Sequence, residues 1–196
     1  MQNWKVFLLF LLIIGGSLTN SQAQRFRASL IGGINLTQLD GDDLSGFNQL
    51  GVNAGAKVAA VLSDRWQLSL EMLFSQQGSH RAKDDVYATV YDNIRLNVVE
   101  TPVMISFQDW KFQVSTGMSY VRVINYRAIS IIGEDLTDTE TYRDNLFFFN
   151  IGLTYYPQER WGINVRWSRS LVDLEQREGQ TLLGRNLAIR LIYVFP

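Results

Sequence analysis

The stretch Asn186–Phe195 decides the fold and reads Asn-Leu-Ala-Ile-Arg-Leu-Ile-Tyr-Val-Phe. Its odd-numbered residues are all apolar or aromatic: Leu187, Ile189, Leu191, Tyr193 and Phe195. In an extended strand these side chains line one face, because successive side chains point to opposite sides. A long apolar strand with an open edge would recruit other chains, so both of its edges need partners. We expect the first strand of the same chain to be one of them, which closes a barrel.

The same period of two recurs in seven earlier segments. It is clearest in Trp66–Gln77, where Trp, Leu, Met and Phe alternate with Gln, Ser and Glu. Polar segments separate the strands, and four long ones alternate with three tight turns: 38–49, 78–92, 133–144 and 173–184, against 63–65, 108–109 and 157–160. Long loops at one end and short turns at the other are typical of small outer-membrane barrels. The sequence predicts an all-β fold, an eight-stranded antiparallel up-and-down transmembrane β-barrel, with both termini periplasmic.

The N-terminus forms a separate segment. Lys5 precedes the apolar run Val6–Ile14, and small residues follow at Ser21 and Ala23. The run is too short to span a bilayer as a helix, which takes about 20 residues, and the pattern is typical of a secretory signal peptide. We expect residues 1–23 to be removed on export, and residues 24–196 to form the barrel domain in a Gram-negative outer membrane.

Composition excludes several kinds of partner. The net charge is −1 and no basic cluster is present, which argues against nucleic acid because phosphate binding needs clustered Lys and Arg. The chain has no cysteine, which excludes disulfides and thiolate metal sites. The acidic run Asp40–Asp43 lacks the spacing and terminal Glu of a calcium loop. We therefore expect neither a metal nor a cofactor.

Face chemistry separates a membrane barrel from a soluble one, which would show the same alternation. The polar face carries small residues such as Gly33, Gly55 and Ser69, with few Lys or Glu, whereas a face exposed to water would carry long charged side chains. The apolar face carries aromatic residues near both ends of the strands, as expected at the two membrane interfaces. The predicted lipid-interface aromatics are Trp66, Phe74, Phe147, Tyr155, Trp161, Trp167, Tyr193 and Phe195. Outer-membrane lipid and lipopolysaccharide are the expected partners of this face.

The polar face also carries four charges, which alternation places inside the barrel: Lys57, Glu71, Arg166 and Arg190. Eight strands leave an interior just wide enough for side chains to fill, so we expect these residues to form a polar plug. A narrow solute channel of the porin type is the alternative. The facing of Glu100 stays open, because Pro102 cannot donate to a ladder and predicts a bulge or a strand start nearby.

Catalysis is not predicted. The only histidine, His80, follows Ser79 and precedes Asp84 and Asp85 within one predicted loop. A triad is recognised by held geometry, and a loop histidine without an orienting partner does not supply it. A lipid-modifying barrel enzyme at His80 is the least favoured alternative.

Three segments resemble the PorT-like outer-membrane β-barrel family of Bacteroidetes-type bacteria. They are Leu30–Asn35 (LIGGIN), Gly51–Gly55 (GVNAG) and Leu96–Val103 (LNVVETPV), in which Thr101 stands where an aliphatic residue is usual. The resemblance implies an outer-membrane barrel, and the family's best-known member is an accessory to protein secretion. From the residues and the resemblance together we expect a non-enzymatic role as a scaffold, an accessory or a binding module that uses its loops. A secretion complex or a surface protein would then be the partner.

The C-terminus is similar to the aromatic-ended signal that barrel insertion machinery recognises. The similarity rests on Tyr193, Val194 and Phe195. Arg190 stands where a small residue is typical, and Pro196 follows the aromatic residue. The resemblance implies that the insertion machinery is a partner of the closing strand.

Overall fold

The computed structural model describes residues 25–41, 46–82, 90–139, 142–174 and 182–196. Eight strands form one closed sheet: β1 (Arg25–Asp40), β2 (Gln49–Val61), β3 (Trp66–His80), β4 (Tyr91–Asp109), β5 (Phe112–Ser130), β6 (Asn145–Gln158), β7 (Trp161–Ser170) and β8 (Leu183–Val194). Each strand pairs antiparallel with its neighbour in sequence, and β1 pairs with β8. The predicted eight-stranded antiparallel barrel is confirmed. The predicted signal peptide lies outside the described residues.

The closing strand β8 is paired along both edges. It pairs with β1 from Leu183 to Val194 and with β7 from Arg185 to Tyr193. Ile189 and Leu191 point outward and are nearly half exposed, while Arg190 between them is buried. One edge of this apolar strand therefore pairs with the N-terminal strand of the same chain, as predicted.

The outer surface carries an apolar band. On β3, Leu68, Leu70 and Met72 are exposed and alternate with buried polar residues. The band runs from Trp66 to Phe74. At a rise of about 3.4 Å per residue and a tilt of about 40°, this stretch covers about 21 Å along the barrel axis. That height is near the ~25 Å apolar band of an outer-membrane barrel. Within the described ranges, no helix is long and apolar enough to cross a membrane.

Several strands continue into segments that the sequence predicted as loops. β1 reaches Asp40, β3 reaches His80, β4 begins at Tyr91 and β8 begins at Leu183. The predicted boundaries were therefore wrong at the long-loop end. The polar composition of these segments suggested loops. Polar side chains that point outward are nevertheless compatible with a β-ladder once the strand extends beyond the apolar band.

Pro102 does not cause the predicted bulge or strand start. β4 runs through it, and its pairing with β3 is only interrupted between the Leu70 to Val103 pair and the Leu73 to Glu100 pair. A proline lacks the N–H donor, so a ladder bond is lost without a change of register. The two register shifts between β4 and β5 lie elsewhere, between Tyr91 and Asn93 and between Asn97 and Val98. Glu100 consequently keeps the strand alternation and is buried inside the barrel.

Candidate functional site

Three buried charges meet inside the barrel from three strands. Arg166 on β7 donates from Nη1 and Nη2 to the two carboxylate oxygens of Glu71 on β3, at 2.9 and 2.8 Å. Arg190 on β8 places Nη1 3.5 Å from Glu71 Oε2. One carboxylate therefore serves two guanidinium groups in a space that water hardly reaches.

Neighbouring amides and hydroxyls hold these charged groups in place. Arg190 Nε donates to Asn164 Oδ1 at 3.0 Å, and Asn164 Nδ2 donates to Thr154 Oγ1 at 2.8 Å. Asn164 thus orients the guanidinium group of Arg190 from the adjacent strand.

A second chain of hydrogen bonds leads to Glu100. Ser168 donates to Asn150 Oδ1 at 2.6 Å, and Asn150 Nδ2 donates to Ser119 Oγ at 3.0 Å. The Ser119 hydroxyl in turn donates to the Glu100 carboxyl group. The structure therefore adds Glu100 to the interior polar residues, a position that the sequence left undecided.

Lys57 is the exception among the four residues predicted to form the plug. It is 7% exposed and lies opposite Glu71 in the register of β2 and β3. Among the described residues, none accepts a hydrogen bond from Lys57 or forms an ion pair with it within 4 Å. The structure brings Glu71, Arg166 and Arg190 together and leaves the ammonium group of Lys57 apart from them.

An apolar cluster fills the barrel at the long-loop end, and we call it the cap. Its buried members are Leu39, Ile94, Leu96, Val98, Val121, Val123, Ala128, Tyr142, Leu146, Phe148, Leu174 and Leu182. Three of these lie in the connecting segments, which backbone bonds hold across the barrel end. Arg143 N donates to Leu174 O at 2.7 Å, and Leu174 N donates to Leu182 O at 2.9 Å. The cap and the charged network occupy successive levels of the lumen.

The short-turn end is different, because it opens into a cavity of about 960 Å³. Residues from the start of β1, from the turns 110–111 and 159–160, and from the C-terminus surround its mouth. Lys57 contributes to its lining from deeper in the barrel. The lumen is therefore filled at the cap and accessible from the opposite end.

The outer surface of β4 and β5 becomes polar beyond the apolar band. Gln76 Nε2 donates to Asn97 Oδ1 at 3.0 Å, and Asn97 Nδ2 donates to Asn125 Oδ1 at 2.7 Å, so that an amide ladder crosses three strands. Arg95 and Arg127 flank this ladder and point outward. Together with segment 135–138 they line a hollow of about 490 Å³, which we call the outer groove.

Asp135 anchors the connecting segment to the outer groove. Its carboxylate lies 3.5 Å from Arg127 Nε, and both the hydroxyl and the backbone amide of Thr137 donate to it. These hydrogen bonds from Thr137, with Arg127 nearby, lower the pKa of Asp135 below its ordinary value. The groove consequently keeps a fixed negative charge beside its arginines at neutral pH.

The eight predicted interface aromatics all lie on the outer surface, Tyr193 being partly covered. At the short-turn end they stack with neighbours: the ring centroids of Trp66 and Phe107 are 5.1 Å apart, and those of Trp161 and Tyr193 are 4.9 Å apart. At the other end Phe147 packs on Tyr120 at 5.7 Å. The aromatic residues therefore form two belts, one at each limit of the apolar band.

His80 does not lie in a flexible loop as predicted, because it is the last residue of β3. Its Nδ1 is 3.1 Å from the side-chain nitrogen of Asn93, and within the described part of the chain no carboxylate contacts the ring. Ser79 is buried at 1% exposure. Asp84 and Asp85 lie outside the described residues. Among the described residues, no catalytic partner is therefore assembled around His80.

The described residues contain no group of three or more His, Cys, Asp or Glu side chains placed to hold a metal ion. Of the acidic run, Asp40 is paired with Arg185, whereas Asp42 and Asp43 lie outside the described ranges.

Comparisons with known proteins agree with this architecture. The sequence matches the family described as Outer membrane protein beta-barrel domain over residues 6–195. A search of curated proteins found no match. The fold is similar to that of Ail, the attachment invasion locus protein of Yersinia pestis, with a TM-score of 0.54 and 13% identity over 86% of this chain and 98% of that chain. It is also similar to Neisserial surface protein A, with a TM-score of 0.50 and 10% identity over 87% and 97% of the two chains. The likeness to these structures shows the fold, and because the family match spans nearly the whole sequence, the chain belongs to the outer membrane protein beta-barrel family.

Proposed function

We propose that this outer-membrane barrel is a non-enzymatic binding module that acts through its long-loop end. The main observation in support is a reversal of face chemistry along β4 and β5: the polar and the apolar faces of these strands exchange sides. Within the apolar band the outer face of the barrel wall is apolar and the inner face is polar. Beyond the band the outside carries Arg95, Asn97, Asn125 and Arg127, and the inside carries the apolar cap.

The reversal has a simple physical meaning. A bilayer core offers no hydrogen-bond partners, so exposed arginines and amides are costly there. The apolar inward residues, such as Val98 and Val123, follow the rule for a protein surrounded by water. This part of the barrel therefore stands clear of the hydrocarbon core, on a sheet that continues without a break from the membrane-embedded wall.

Such a surface suits recognition of another molecule. The two arginines and two asparagines of the outer groove lie on paired strands, which hold them more firmly than a free loop would, and ordered side chains lose less entropy on binding. The similar barrel Ail is described as an attachment invasion locus protein, and a binding role for this chain is consistent with that description. The outer groove carries both signs of charge, so we expect a polar, charged partner.

We further propose that the long-loop end faces outward and that both termini are periplasmic. The band between the aromatic belts would contact outer-membrane lipid and lipopolysaccharide, and the closing strand would be recognised by the insertion machinery. The segments that resemble the PorT-like family support a more specific role as an accessory to protein secretion, with a secretion complex as the partner. The cap and the charged network favour a closed lumen over a porin-like channel.

The proposal can be tested with a photo-crosslinking residue in intact cells. Placed at Asn125 in the outer groove, it should form a discrete adduct that is lost when Arg95→Glu and Arg127→Glu are added. Placed at Asp64 in the turn at the opposite end, it should not form that adduct. The same adducts at both positions, or adducts that are insensitive to the charge reversal, would contradict a binding role for the outer groove.

A further inference from the structure

The cavity at the short-turn end of the barrel has a cationic floor. We call this cavity the vestibule. Its charged lining side chains are Arg27, Lys57, Arg160 and the exposed Glu159, and Ser29, Gln67 and Tyr156 are polar neighbours. Lys57 is more than nine-tenths buried and reaches the vestibule from β2, whereas Arg27 and Arg160 are exposed nearer its mouth. A buried ammonium group aimed at open space requires a physical explanation.

The charges inside the barrel do not balance. Among the described residues, the buried ionisable groups of Lys, Arg, Asp and Glu are three cations and two carboxylates: Lys57, Arg166, Arg190, Glu71 and Glu100. Glu71 is already engaged by two guanidinium groups, and Glu100 accepts from Ser119. With all five groups ionised, one positive charge is left over. Lys57 is the cation without a bonded partner, so the excess is centred on the vestibule.

The walls of the vestibule offer further hydrogen-bonding groups. Gln67 Nε2 donates to Gln108 Oε1 at 3.4 Å, and Gln113 Nε2 donates to Gln67 Oε1 at 3.3 Å. Tyr156 donates to Gln113 Oε1 at 3.4 Å. These bonds are long for their type, so the amides and the hydroxyl can be redirected at low cost towards a ligand that enters.

We infer that the vestibule is a binding site for a small phosphate- or carboxylate-bearing anion, with Lys57 as its principal ligand. A buried charge is costly unless it is paired, and an anion on Lys57 removes that cost while the lumen beyond stays filled by the network and the cap. Arg27 at the mouth supplies a planar guanidinium group that suits phosphate oxygens. The site is separate from the outer groove, because it opens at the opposite end of the barrel.

The probe is inorganic phosphate, added to the full chain folded in a phosphate-free maltoside detergent. Calorimetry should show saturable binding to one site, and phosphate should raise the urea midpoint of unfolding above that in sodium chloride of equal ionic strength, because a ligand that binds only the folded state stabilises it. Glycerol phosphate, tested in parallel, represents a lipid headgroup. Tighter binding of glycerol phosphate would indicate a lipid source, and tighter binding of inorganic phosphate would indicate a free solute.

Variants locate the site. Lys57→Met should weaken phosphate binding at least tenfold and abolish the shift of the urea midpoint, while Lys57→Arg, which keeps the charge, should retain both within a few fold. Arg169→Gln, at the other end of the barrel, is the matched control and should change neither. Lack of saturable binding by wild type, or equal binding by Lys57→Met and wild type, would overturn the inference.

Discussion

Replacement of Glu71 by Gln removes the charge at the centre of the lumen and keeps the shape of the side chain. Two unit charges about 4 Å apart attract by about 4 kcal/mol at an effective dielectric constant of about 20. Glu71 meets Arg166 in two hydrogen bonds and Arg190 at 3.5 Å. Both guanidinium groups stay buried in the variant without their carboxylate, which is the situation that costs about 3–5 kcal/mol when a buried pair is broken. We expect Glu71→Gln to lower the free energy of unfolding by that amount.

The free energy can be measured by urea unfolding and refolding in lipid vesicles, followed by tryptophan fluorescence and by the gel mobility of the folded barrel. Glu134→Gln is the matched control, because Glu134 is exposed and a surface change should stay within about 0.5 kcal/mol. A double-mutant cycle with Arg166→Gln should show a coupling of about 1–3 kcal/mol with Glu71. A loss below 0.5 kcal/mol for Glu71→Gln, together with no coupling, would refute the stabilising network.

Three further variants test the lipid face, the wall and the cap. Leu70→Lys, which puts a charge in the middle of the exposed band, should cost about 2–4 kcal/mol in the same unfolding assay; an unchanged value would mean that Leu70 does not face lipid. Gly55→Ala should cost about 1–3 kcal/mol, because its new Cβ would lie 2.0 Å from the Met72 carbonyl oxygen. Gly32→Ala, which meets nothing within 4 Å, is its control, and equal effects of the two would contradict the close strand approach. Phe148→Ala should cost about 3–5 kcal/mol by opening a hole in the cap, and a loss below 1 kcal/mol would show that the cap is loosely packed.

The period of two in the sequence was enough to predict the eight strands and the closing pair. Side chains on a paired strand alternate strictly, so the positions of Glu71 and Arg166 in one interior could be read from their phase. The sequence could not show which interior groups bond to one another, because that depends on barrel shear and side-chain length. Lys57 and Glu71 are register neighbours, and yet Glu71 pairs across the lumen with Arg166 instead.

The reversal of face chemistry escaped the sequence analysis for a different reason. Leu96 and Val98 are apolar and point inward, whereas apolar residues of the band point outward. A single alternation rule cannot place both sets of apolar residues on the correct face. The reversal becomes visible only when the position of each residue along the barrel axis is known. Loop residues of the cap, such as Tyr142 and Leu174, carry no periodic signal at all. The phase around Pro102 was uncertain in the sequence, but the ladder continued because its neighbours were held by β5.

The central claim is that the lumen of the barrel is closed. Planar-bilayer recording of the purified, folded chain tests this claim most directly. The cap and the Glu71 network lie one above the other in the lumen, so the wild-type protein should insert without stable conductance steps. The double variant Phe148→Ala/Glu71→Gln loosens both the cap and the charged network. Once folded, it should conduct more than the wild-type protein. Stable wild-type steps that are abolished by Arg166→Glu would contradict the account and identify the lumen as a channel.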